Sequence, residues 1–154
     1  MKRLAFFSLL LLSIFYEAKA QEGYTRLSLS AGIMHKEAYT GTVALEFGKS
    51  YLKYLEVFAD AYKSQVTNTE NYLGGVAFKP NITRATNRYL NFRVGAGVGS
   101  NTNNVIAGLQ AGFEAGYIFK NNIVLMLHQK NEGIIGAKDH PLRTGLLFGF
   151  KFPL

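Results

Sequence analysis

Residues 141–154 read PLRTGLLFGFKFPL. Thr144, Leu146, Phe148, Phe150 and Phe152 recur at every second position, with Arg143, Gly145, Leu147, Gly149 and Lys151 between them. Successive side chains of a β-strand point to opposite faces. One face of this strand is therefore apolar and ends in three aromatic rings. The other is small or charged, apart from Leu147. That is the pattern of a membrane-spanning strand, whose outward side chains meet lipid and whose inward ones meet a polar lumen. A terminal strand of a soluble sheet could share the alternation, so the remainder of the chain has to decide.

The beginning of the chain points the same way. Met1-Lys2-Arg3 is a short basic segment, Leu4 to Tyr16 is mostly apolar, and Ala18-Lys19-Ala20 is a small-residue cleavage pattern. Together they predict a secretory signal peptide over residues 1–20, with a mature domain over 21–154. The apolar run is shorter than the roughly 20 residues a spanning helix needs. With Cys 0 in the sequence, disulfides, thiolate metal sites and a lipid-modified cysteine are all excluded. Loss of Lys2, Arg3, Lys19 and Glu17 lowers the net charge from +7 to +5. That excess is scattered, with no run of three basic residues, so direct DNA contact is not expected. Glycine and aromatic residues are abundant and proline is scarce, which argues against a soluble α/β enzyme.

Segments of about ten alternating residues recur between turn residues. Apolar positions place Leu27, Leu29, Ala31 and Ile33 on one face of a first strand, Tyr24 to Ile33. A second strand, Tyr39 to Phe47, precedes a turn predicted at Gly48-Lys49-Ser50, and a third runs from about Lys53 to Tyr62. A fourth, Tyr72 to Phe78, is followed by a polar connection predicted over Lys79 to Asn87. The fifth sets Leu90, Phe92, Val94, Ala96 and Val98 against Asn91, Arg93, Gly95 and Gly97. Ser100 to Asn104 reads as a loop. The sixth sets Leu109, Ala111, Phe113, Ala115 and Tyr117 against Gln110, Gly112, Glu114 and Gly116. Asn121-Asn122 reads as a tight turn, because Asn tolerates positive φ. A less regular seventh strand, Ile123 to Lys130, leads to a longer loop predicted over Asn131 to Pro141 and then to the closing strand.

Eight strands is the count of the smallest outer-membrane barrels, so the expected fold is all-β, an eight-stranded antiparallel transmembrane β-barrel. Side chains fill the interior of a barrel this size. Glu46, Glu56, Asp60, Arg93, Glu114, Arg143 and Lys151 all fall on inward faces. Buried charges must pair or meet water, and their mixed signs predict a lumenal charge network. Thr144 to Phe150 carries the pattern of a C-terminal barrel-assembly signal: polar, Gly, two free positions, then aromatics two apart. Gly145, Phe148 and Phe150 are its candidate residues, and the implied partners are outer-membrane lipid and the barrel assembly machinery.

The order of features from Gly112 onward carries a resemblance. Phe113-Glu114-Ala115-Gly116-Tyr117 opens a strand, Asn121-Asn122-Ile123-Val124-Leu125 starts the next after a tight turn, and a glycine-containing loop follows. Gly145, Gly149 and Lys151 then mark a Gly-x-x-x-Gly-x-Lys closing strand. This resembles the conjugative-transposon TraO family of Bacteroidetes, over about residues 112–152 and more weakly over 51–98. The segment around Ser100 to Val105 is shorter than the loop expected in that family, and Asp139-His140-Pro141 has no match in it. The resemblance implies a bacterial outer-membrane component of a conjugative, type IV secretion-like apparatus, with other transfer proteins as partners. The alternative is a general small barrel serving adhesion or envelope stability.

Neither reading calls for an enzyme or a cofactor. Asp139-His140 and His35 with Glu37 are the acid–base pairs at predicted loops, yet adjacent loop residues seldom orient one another for general-base work. His128 falls mid-strand. The three histidines lack metal-ligand spacing, and no phosphate loop or nucleophile elbow is present.

Overall fold

Alternating segments can satisfy every backbone N–H and C=O within a bilayer only by pairing edge to edge until no edge remains. The chain does this with eight antiparallel strands in sequence order, closed β8 on β1. The strands are β1 (Thr25–Met34), β2 (Ala38–Ser50), β3 (Lys53–Ser64), β4 (Glu70–Arg84), β5 (Arg88–Asn101), β6 (Val105–Ile118), β7 (Val124–Ile135) and β8 (Leu142–Pro153). The structure is a computed structural model that describes residues 24–50, 53–101, 104–137 and 141–154. The signal peptide expected over 1–20 and the pair Asp139-His140 lie outside the described residues.

The register sets the stagger. Thr25 pairs with Phe47, Phe47 with Leu55, Leu55 with Phe78, Phe78 with Val94, Val94 with Ala111, Ala111 with Asn131, and Asn131 with Thr144. The Thr144 carbonyl then accepts from the N–H of His35, ten residues along the chain from Thr25. A shear of ten on eight strands tilts them by about 40° to the barrel axis. Side chains of similar height in the lumen therefore come from very different offsets along their strands.

Period-two alternation sorts the side chains as expected. Val43, Val76, Val94, Leu109, Leu127, Leu146 and Phe148 face outward and are exposed, while Glu46, Tyr54, Phe58, Arg93, Glu114 and Lys151 are buried inside. The inside is not purely polar. Ala44, Phe58, Leu73, Ala77, Ile106 and Ile134 form one apolar cluster, and Met34, Ala38 and Tyr62 a second.

Four predicted connections are shorter than expected. β2 continues through Gly48 to Ser50, with an irregularity between Gly48 and Ser50, so Gly48-Lys49-Ser50 belongs to the strand and not to a turn. β4 runs on through Lys79 and Pro80 to Arg84, leaving residues 85–87 as the connection. Pro80 offers no N–H to the ladder. Pairing to β5 passes from Phe78↔Val94 to Asn81↔Asn91 and shifts register between Asn81 and Thr83. A proline beside a bulge and a polar strand end looks like a loop in sequence, yet both fit where a strand leaves the apolar band. β7 likewise extends through Asn131–Ile135, residues that read as loop. Here the inward face is charged and the outward one holds Asn131 and a glycine, so apolar alternation is lost although pairing continues. β5 also reaches Asn101, beyond the loop start predicted at Ser100.

The turn at 119–123 forms as expected. Asn122 has φ 62°, and the Asn121 side chain accepts from the Ile123 N–H at 3.2 Å. Gly136, at φ 91°, turns the chain after β7 in a region that favours glycine. Gly116 is required by a close approach: a Cβ there would overlap the Tyr89 ring. Gly116→Val is therefore expected to displace Tyr89 and cost about 1–3 kcal/mol by overpacking. A lowered urea midpoint of the variant in vesicles checks it, and an unchanged midpoint would show that Tyr89 moves freely.

Candidate functional site: the lumenal charge network

Each inward charge arrives by the same local rule. A strand position of the right parity points into the barrel, and closure supplies its partner from another strand. Glu46 on β2, Glu56 on β3 and Glu114 on β6 converge so closely that one carboxylate oxygen from each lies within 4.8 Å of the others. Such a trio could hold a cation, and here the cation is part of the chain. The Lys79 ammonium from β4 bonds Glu46 at 2.9 Å and Glu114 at 2.7 Å, and it also contacts Glu56. Lys151 from β8 bonds Glu46 and Glu114, each at 2.5 Å. The Tyr89 hydroxyl donates to Glu114 at 2.9 Å.

Arg93 carries the network onward from Glu56. Its Nε and Nη2 donate to Glu56 Oε1 at 2.9 and 2.7 Å, and its Nη1 donates to Gln110 Oε1 at 2.6 Å. The Gln110 amide nitrogen donates to Asp60 and to Glu132, both at 2.6 Å. Lys130 bonds Asp60 at 2.6 Å, and Arg143 lies 3.7 Å from Glu132. Arg143 also stacks its guanidinium 3.7 Å above the Tyr62 ring. With its amide oxygen turned toward Arg143, Asn71 accepts from both guanidinium Nη atoms.

The seven charges predicted from sequence thus fall into two groups. Glu46, Glu56, Arg93, Glu114 and Lys151 share one, Asp60 and Arg143 the other, and Gln110 joins them. Sequence reasoning missed Lys79, Lys130 and Glu132. Lys79 and Glu132 had been placed in connections, and Lys130 ended an irregular strand. The available signal was parity: Lys79 is two residues beyond Ala77, itself inward, and Lys130 and Glu132 continue the inward face of His128. The network's five carboxylates meet five cations, so it is self-neutralising. In a low-dielectric interior that balance avoids the large cost of an isolated charge.

The arrangement crosses the lumen from wall to wall. Toward the end where β1–β2 and β7–β8 connect, Leu73, Ile106 and Ile134 add an apolar layer. His128 is buried in the lumen, and His35 lies in the β1–β2 turn. The candidate assembly residues sit on β8: Gly145 opposite Met34, and Phe148 and Phe150 outward with their rings edge to face at 5.8 Å.

No family model and no curated protein matches the chain. Solved structures do. Neisserial surface protein A (NspA) aligns with TM-score 0.63 at 13% identity, covering 85% of this chain and 96% of its own. The outer membrane enzyme PagL aligns with TM-score 0.57 at 12% identity, covering 84% and 99%. A de novo designed transmembrane β-barrel aligns with TM-score 0.56 at 16% identity, covering 87% and 98%. The chain has the fold of small outer-membrane barrels. At these identities the likeness concerns fold alone.

Proposed function

We propose that this protein is a non-enzymatic barrel of the bacterial outer membrane that serves as a sealed, lipid-embedded anchor of a conjugative transfer apparatus. The observation that carries the anchor reading is the lumenal network. Five ion-paired carboxylates and five cations, backed by an apolar layer, occupy the space a solute would need. The connections add to it. Those at the end opposite the termini are residues 35–37, 65–69, 102–104 and 136–141, short for projecting adhesive loops. The pattern from Gly112 to Lys151 supports the conjugative role, with other transfer proteins docking on the short connections.

The test is genetic. Deleting the gene from its mobile element is expected to lower transfer frequency by at least an order of magnitude. A copy carrying Asp139→Ala and His140→Ala is expected to restore it, because adjacent residues of a loop seldom orient one another for general-base work. Normal transfer after deletion would remove the conjugative role. Failure of the double variant to complement, at wild-type membrane levels, would point to chemistry or a specific contact at that loop.

A further inference from the structure

Between its two ends the outward face of the barrel is apolar, with one exception. Among the described residues, outward Thr25, Lys63, Glu70, Thr83, Arg88 and Ser100 all stand at or next to the end of a strand. Gln129, Asn131 and Thr144 do not. Gln129 pairs across the sheet with Phe113 on β6 and Leu146 on β8, and Asn131 with Ala111 and Thr144. Phe113, Leu127 and Leu146 beside them are outward and exposed, and the apolar surface resumes past them at Ile135 and Leu142. The polar trio therefore lies within the band that meets lipid. The Gln129 amide nitrogen and the Thr144 hydroxyl each donate to the Asn131 side-chain oxygen at 2.8 Å. The return contact from the Asn131 amide nitrogen to Gln129 is long, at 3.4 Å. An amide nitrogen carries two N–H donors and its oxygen two acceptor sites, so the trio does not use up its own hydrogen-bonding capacity. Hydrocarbon offers nothing to satisfy the remainder.

We infer that this face, centred on β7, docks a second copy of the chain, forming a two-fold dimer within the membrane. Three features select a second copy. First, two copies inserted in the same direction are related by a two-fold axis along the membrane normal, so each residue meets its counterpart at equal depth. A side-chain amide both donates and accepts. Gln129 and Asn131 therefore complement their own copies at that depth, which a lysine or a carboxylate would not. Second, the described outward positions within β6, β7 and β8 carry no charge, so a charged partner would find no complement there. Third, Ala111 and Gly133 beside the trio are small. With Val94, Leu109 and Leu142 they line a shallow groove of about 540 Å³. Small residues let two backbones approach closely, which brings the amides of two barrels within reach. An acyl chain would fill the groove but leave the amides without partners.

The inference rests on the membrane reading, and one experiment separates the two. The sequence holds Cys 0, so Lys120→Cys in the β6–β7 connection gives a single labelling site. Mature chains labelled separately with donor and acceptor dyes are refolded together into phosphatidylcholine vesicles, dilute enough that chance encounters give little energy transfer. Transfer well above that background is expected, and excess unlabelled wild type refolded with them should abolish it. Gln129→Leu with Asn131→Leu should lose the transfer while keeping the gel shift between folded and heated protein. Gln129→Asn with Asn131→Gln keeps both amides and should retain most of the transfer. Val43→Leu with Val76→Leu, outward on β2 and β4, should retain all of it. A wild type that inserts but shows only background transfer overturns the inference and leaves the barrel standing. So does full transfer in the double leucine variant. Failure to insert into any vesicle overturns both readings. Background transfer by the wild type, with loss of conjugation in cells carrying the leucine variant at wild-type membrane levels, would overturn self-association and give this face to a different membrane protein.

Discussion

Replacing Lys79 by methionine is expected to destabilise the barrel by about 3–5 kcal/mol, the usual cost of removing one partner from a buried ion pair. The reason is the company Lys79 keeps. Glu46, Glu56 and Glu114 all contact its ammonium, which is buried to 1% exposure. Methionine fills similar volume, so packing changes little and the loss is electrostatic. Lys151 still reaches Glu46 and Glu114, and Arg93 still reaches Glu56, but three carboxylates would then share two cations. Adding Glu46→Gln should recover part of the loss by removing one uncompensated charge. Urea unfolding in vesicles measures both variants. A Lys79→Met midpoint equal to wild type would mean that water, not lysine, neutralises the three glutamates.

The second large effect concerns the outer face. Val94 lies at the middle of β5, outward and 44% exposed in the isolated chain. Val94→Arg is expected to cost about 2–4 kcal/mol, the range for Arg or Lys at a bilayer midplane. Val105 begins β6 and is also outward, at 82% exposure. Because the penalty falls toward about 0–1 kcal/mol near the interface, Val105→Arg should be nearly neutral. Folded fractions after refolding into vesicles measure the difference. Equal damage at both sites would show that depth in lipid does not govern this face.

The local alternation of Leu146, Phe148 and Phe150 against Gly145, Gly149 and Lys151, repeated in β5 and β6, determined by itself which side chains face out, and so the barrel class. Period two is a property of one strand and needs no partner to be read. It also placed Glu46, Glu56, Asp60, Arg93, Glu114, Arg143 and Lys151 inside. It did not say where strands end. β4 past Pro80 and β7 past Lys130 lack apolar alternation, and cross-strand pairing alone keeps them extended. Nor did it say which inward charges meet. Parity gives the side of the sheet but not the height in the lumen, and height depends on a stagger of ten residues accumulated around a closed sheet. That closure brings Lys79 among Glu46, Glu56 and Glu114, and Gln110 between Arg93 and Asp60. Only the tertiary structure decides it, because each contact is set by the register of every strand lying between its two residues.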